Sequence, residues 1–404
     1  MSQPAPARRA AQDLLGFLDA SPTPWHAVAT AAARLDAAGF RRLDEADRWR
    51  LQPGGRYYAT RGGAALIAFT LGEAALAESG YRIVGAHTDS PALRLKPRPA
   101  LAGEGLLRLA VEIYGGPILA TYTDRDLGLA GRVVVRCTEG TATRLVRFDR
   151  ALLRLPNLAI HMNREVNEQG LKLHKQNELP LILGLAADQQ AAEARLAGLL
   201  AEAAAAEPSD LLGWELLAYD LQSATFWGLD DAFIASGRLD NLASCHAALV
   251  ALEAAAAPAA TAVVALFDHE EVGSESAVGA GGSFIGDVLA RIALQAGLDD
   301  EDRRRALARS FFVSADMAHA YQPNFPAAYE PGHKVMVNGG PVIKHNANQR
   351  YTTGAETAAR FMALCERAAV PCQQYAHRAD LGCGSTIGPM VAAGLGVATV
   401  DVAS

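Results

Sequence analysis

The chain has 404 residues, half of them hydrophobic and a fifth charged, with a net charge of −7 and a pI near 5.8. This is ordinary globular composition, enough for two or three domains or for one large domain carrying an insertion. No basic field marks nucleic acid or an anionic membrane as a partner, and no apolar run approaches the ~18 residues of a membrane span.

Helical spacing opens the chain. Leu14, Leu15, Phe17 and Leu18 make one apolar face, and a second helix, "WHAVATAAARLDAAGF", follows Pro22 and Pro24. "LLGFLDA" at Leu14–Ala20 is too short for a secretory signal and runs into "SPTPWH" instead of a small-residue cleavage site. "AALIAFTLG" at Ala64–Gly72 and "YRIVGAH" at Tyr81–His87 read as strands, and the short interval between them predicts neighbours in a sheet.

From about residue 100 the texture changes. "LLRLAVEIYGG", "GRVVVRCTE" and "TRLVRFD" are strand-like runs separated by turns, which predicts an antiparallel β-rich insertion. An alanine-rich helix is expected from about Leu181 to Ala206. After Arg238, helices and strands alternate: "LDNLASCHAALVALEAA" helix, "TAVVALFD" strand, "FIGDVLARIALQAG" helix, "SFFVSAD" strand, "ETAARFMALCERAAV" helix, "GVATVDV" strand. Alternation of this kind predicts an α/β fold, a mostly parallel sheet flanked by helices, whose ligands sit at the carboxyl ends of the strands. The five cysteines (Cys137, Cys245, Cys365, Cys372, Cys383) are odd in number and hold no C-x-x-C pair, so a reducing, cytoplasmic setting is expected.

Polar clusters fall at those strand ends. His87-Thr88-Asp89 ends the first; residues two apart share a face, so Asp89 can accept from His87 and direct the other ring nitrogen at a metal. Asp240 in "GRLDN" opens a helix and reads as an N-cap as well as a ligand. "ALFDHEEVG" delivers Asp268, His269, Glu270 and Glu271 to the end of an apolar strand, where one glutamate can bind metal while the other moves protons. Asp316 ends "VSAD", with His319 three residues on. One His, two Asp and a Glu suit a pair of zinc ions, with Mn2+ or Co2+ as possible substitutes, and a free carboxylate beside them makes a metallohydrolase. No G-x-S-x-G elbow or H-E-x-x-H helix appears, and "CGSTIG" lacks the Walker lysine.

These stretches, with "SPTPWHAV", "VGAHTDSPALRLKP", "DRDLGLAGRV", "LAIHMNREVN", "FDHEEVGSESAVGA" and "NGGPVIKHNANQRYTT", resemble the M18 family of zinc aminopeptidases, aspartyl aminopeptidase and its bacterial relatives. The resemblance implies a zinc exopeptidase-like catalytic domain over 1–95 and 235–404, with an inserted β-rich dimerisation domain over 96–234. It implies His87, Asp240, Glu271 and Asp316 as metal ligands with Asp240 bridging, Glu270 as general base, and Asp89 orienting His87. His319, Lys344 and Tyr351 would line the substrate pocket, and His161 would reach a neighbouring subunit's site or serve as a ligand itself. The implied activity is removal of N-terminal residues from peptides, acidic ones preferred, by a homo-oligomer built from dimers into a dodecamer. A non-catalytic oligomeric shell and an amidohydrolase acting on N-acyl amino acids are the alternatives. In the family the strand resembling "TVDV" leads to a helix carrying Met-His-Ser-x-Arg-Glu; with this sequence ending at Ser404, the resemblance implies a second metal site short of that His.

Overall fold

The computed structural model describes residues 5–404. The chain divides into two compact units, one formed by Met1–Asp89 with Arg238–Ser404 and the other by Ser90–Gly237. The first unit begins with helices α1 (Ala5–Ala20) and α2 (Pro24–Ala37), then strands β1 (Arg41–Arg42), β2 (Arg56–Arg61) and β3 (Ala65–Thr70), helix α3 (Leu76–Ser79) and strand β4 (Tyr81–His87). Pro24 sits in the first turn of α2, where no intrahelical N–H is needed, and the Thr23 side chain caps that turn.

The second unit carries β5 (Ala92–Gly103), β6 (Leu106–Tyr114), β7 (Leu127–Cys137), β8 (Gly140–Leu153), α4 (Val166–Gln169), β9 (Leu181–Leu185), α5 (Gln189–Ala203), β10 (Leu211–Asp220), β11 (Thr225–Trp227) and β12 (Phe233–Ala235). Six of these strands form an antiparallel sheet in the order β8-β7-β10-β5-β6-β9, and β11 pairs with β12 as a hairpin. Leu196 and Leu200 of α5 join Leu109, Leu129 and Val133 in its apolar core.

The first unit resumes with α6 (Leu239–Ala254), β13 (Thr261–Phe267), α7 (Phe284–Gln295), α8 (Asp300–Ala308), β14 (Phe311–Asp316), β15 (Val342–His345), α9 (Ala355–Arg367), β16 (Gln373–Ala376), α10 (Ile387–Leu395) and β17 (Ala398–Ala403). Its nine-stranded sheet runs β1-β2-β3-β13-β4-β14-β17-β15-β16. β13, β4, β14 and β17 are mutually parallel. This is the α/β architecture expected, with a β-rich antiparallel unit inserted in the chain. Among the described residues no helix is long and apolar enough to cross a membrane.

Two expectations need correction. β3 and β4 are not neighbours: β13 lies between them, antiparallel to β3 and parallel to β4. The run "TAVVALF" is β-branched and apolar on both faces, so it takes a central position, and ten residues suffice to carry the chain from β3 past it to β4. The helix expected from Leu181 begins only at Gln189. Leu181–Leu185 instead pairs with β6, and Asp188 caps α5 by accepting from the Ala191 N–H at 2.8 Å.

A candidate metal centre at adjacent strand ends

Because β13, β4 and β14 are parallel and side by side, their carboxyl ends deliver Glu270 and Glu271, His87, and Asp316 to one place. His87 is buried, with 2% of its surface exposed. Its Nδ1 faces the Asp89 backbone carbonyl at 3.0 Å and Asp89 Oδ1 at 3.2 Å. Both partners only accept, so Nδ1 carries the proton. Nε2 is thereby turned toward Asp240 Oδ1 at 3.4 Å, Glu270 Oε2 at 3.8 Å and Asp316 Oδ1 at 3.9 Å. Ligand atoms of His87, Asp240 and Asp316 all lie within 4.8 Å of one another. An imidazole nitrogen and carboxylate oxygens converging in this way are the donor chemistry of a divalent metal, and the residues fit one.

The fully buried Asp89 does more than face His87. Its Oδ1 accepts the Glu270 N–H at 3.2 Å and its Oδ2 the Glu271 N–H at 3.1 Å. Glu270 and Glu271 therefore lie in a 3-10 turn, Glu270–Val272, instead of the extended segment their alternation assumed. One carboxylate caps the turn's exposed donors. The turn is entered through His269 at φ 61° and left through Gly273 at φ 102°.

Asp240 is not the N-cap of α6; that place is held by Arg238, and Asp240 has an extended ψ of 109° inside the first turn. The same end of α6 ties down the strand ends. Asn241 Nδ2 donates to the Ala315 carbonyl at 2.9 Å, Ser244 Oγ to the Asp316 carbonyl at 3.2 Å, and Cys245 Sγ to the His87 carbonyl at 3.0 Å. Asn241 and Ser244 escaped notice in the sequence because polar residues in a helix read as its solvated face.

Crowded acids shape the electrostatics. Burial, opposed by His87 and reinforced by the charges of Asp316, Asp89 and Asp240, pushes Glu270 up to about 7. Burial with the charges of Glu270, Asp89 and Asp240 pushes Glu271 up to about 8, again against His87. For His87, burial would depress the imidazolium, but the carboxylates of Asp240, Asp316 and Asp89 around the ring outweigh it and hold the group well above its ordinary value. Asp316 goes the other way: burial is overcome by the charge and hydrogen bond of Lys344 and by the nearby His87.

Lys344, in β15, is buried and donates to Asp316 Oδ2 at 2.6 Å, a pairing the sequence did not reveal. Its ammonium lies 5.1 Å from the centre of the buried Tyr351 ring. His319 stands edge-on to Tyr375, ring centres 6.2 Å apart, at a cavity of about 180 Å³ also lined by Tyr329, Glu330, His377 and Arg378. Glu271 is outside the mutually close trio, although its backbone shares Asp89 with Glu270. His161 belongs to the other unit, exposed in the 3-10 turn Ile160–Met162.

Known proteins of similar sequence and fold place the chain in a metallopeptidase family. The family model for aminopeptidase I zinc metalloproteases (M18) matches residues 17–404. A probable M18 family aminopeptidase 2 from Pseudomonas paraeruginosa is 50% identical over 396 residues, covering 97% of this chain and 90% of that one. A chain of an Ape4–Nbr1 complex superimposes with a TM-score of 0.95 at 38% identity, covering all of this chain and 82% of its own. A chain of the S. cerevisiae mApe1 dodecamer superimposes with a TM-score of 0.84 at 28% identity, covering 97% of this chain and 89% of its own. The chain belongs to the M18 family of aminopeptidases, zinc metalloproteases that hydrolyse peptide bonds.

Proposed function

We propose that the chain is a co-catalytic dizinc aminopeptidase that removes N-terminal residues from peptides and prefers Asp and Glu there. The observation that carries this is the convergence of Asp240, Glu270 and Asp316 within 4 Å of the buried His87 Nε2. His87, Asp240, Glu271 and Asp316 would hold the metals, with Asp240 shared. Bound zinc supplies a Lewis acid for the scissile carbonyl and lowers the pKa of water.

The chain's own residues do the rest. Asp89 holds the His87 ring in one tautomer and, through the Glu270 and Glu271 N–H groups, fixes the turn that carries both glutamates. Glu270 takes the proton of the attacking water on its carboxylate and returns it to the leaving amine. Lys344, His319 and Tyr351 would receive the first residue of the substrate, the ammonium and imidazole favouring an acidic side chain. Lys344 holds Asp316 as well, so the same cation would link substrate and metal sites.

The proposed state is a cytoplasmic homo-oligomer, a dodecamer assembled from dimers through the inserted unit, with His161 contributed to a second copy's site. Support for this comes from the exposed Leu158, Ile160 and Met162 around His161 and from the dodecameric relative. The test is Glu270→Gln, assayed on aspartyl-, glutamyl- and leucyl-naphthylamide alongside metal content. Loss of turnover with metal retained is expected; unchanged turnover would remove Glu270 from the reaction.

A further inference from the structure

The sheet buries a carboxylate that the proposed chemistry does not use. Asp401, in β17, has no exposed surface. Its Oδ2 accepts from the Thr352 N–H and from Thr352 Oγ1, both at 2.6 Å, and its Oδ1 accepts from Thr386 Oγ1 at 2.6 Å. All three donors are neutral, and the approach is tight enough that a Cβ at Gly388 would collide with the carboxylate. What it provides is geometry, because it ties two separate segments to one point on β17.

Those two segments meet again beside the site. Thr352 follows Tyr351, and Thr386 ends the irregular segment that carries Cys383 and caps α10. Cys383 packs against the buried cluster that holds Tyr351 and Tyr375. The Tyr351 ring lies against the Lys344 ammonium, which donates to Asp316 Oδ2. Asp316 presents its other oxygen to His87 Nε2. A series of contacts thus runs from Asp401 through Thr352 and Tyr351 to Lys344 and Asp316, with the segment from Cys383 to Thr386 packed beside it.

We infer that Asp401 is a positioning residue: by clamping the Tyr351 segment and the Cys383 segment, it confines Lys344 and so sets the orientation in which Asp316 meets a metal. The inference rests on Asp316 being a ligand. Partners that orient a ligand from behind typically contribute ten- to a hundredfold to metal affinity.

The test is equilibrium Co2+ binding to the chelated full chain, followed by visible absorption, with melting temperature recorded in parallel. Asp401→Ala should weaken binding by about ten- to a hundredfold. Asp401→Asn should recover most of this, since an amide oxygen can still accept from Thr352 while the Thr386 hydroxyl reverses. In a Lys344→Met background the Asp401→Ala substitution should cost little further affinity, because both act on Asp316 through the same cation. Ile292→Ala, in the apolar core, should lower melting temperature and leave Co2+ affinity as it was. The inference is overturned by wild-type affinity in Asp401→Ala, by an undiminished loss in the Lys344→Met background, or by an equal loss in Ile292→Ala. Should Asp401→Ala fail to fold, Thr352→Val must show a smaller loss in the same direction, and none would overturn it. Wild-type affinity in Asp316→Asn would instead remove the ligand assignment itself.

Discussion

Replacing Asp89 tests whether one buried carboxylate organises the whole centre. Asp89→Ala removes the acceptor for the Glu270 and Glu271 N–H groups and the carboxylate beside His87 Nδ1. Each backbone donor left dry costs roughly 1–3 kcal/mol, less where water enters the space. Without that carboxylate, Nδ1 keeps only the residue-89 backbone carbonyl and the glutamate turn loses its anchor, which should weaken metal binding by about ten- to a hundredfold, or roughly 1.4–2.7 kcal/mol. Asp89→Asn keeps the shape but must point its NH2 at one of two backbone donors, so it should restore packing without restoring affinity. Zinc titration of the chelated protein, with urea unfolding of the same samples, separates the two costs. Asp89→Ala with wild-type zinc affinity would refute the reasoning, because the ring and the turn would then be held by something else.

Two further outcomes follow from the same geometry. In chelated protein, Glu270 and Glu271, raised to about 7 and about 8, keep protons that the unfolded chain gives up near 4.5. The folded state then binds more protons between those values, so stability falls as pH rises through that window, and the raised His87 acts in the same direction. A divalent metal binds the deprotonated ligands, so the rise in melting temperature on adding zinc should be larger at pH 8 than at pH 6; equal increments would contradict the crowding argument. Gly85 sits mid-strand in β4, where a Cβ would strike the Phe312 ring, with Ile387 Cδ1 3.0 Å away. Gly85→Ala should destabilise the protein by about 1–3 kcal/mol in thermal or urea unfolding, and a neutral substitution would mean that this core layer yields easily.

Much of this was legible in the sequence because strand ends are. An apolar strand running into His87, another into Asp268–Glu271 and a third into Asp316 are polar interruptions that packing does not explain, and parallel neighbours bring them together. The insertion of β13 between β3 and β4 was not legible, since strand order depends on which apolar run wins the centre of the sheet. Leu181–Leu185 reads as helix because leucine serves both structures, and the Asp188 cap is the signal that separates them. The roles of Lys344 and Asp401 depend on contacts across 28 and 49 residues, which no local pattern records.

The most direct measurement is aminopeptidase activity of the full chain after exhaustive chelation and during zinc readdition, with bound zinc counted by elemental analysis. The account predicts that activity disappears with the metal and returns as the His87–Asp240–Asp316 centre fills, approaching two ions per chain, and that Asp316→Asn blunts both curves together. Undiminished activity in metal-free protein would contradict it.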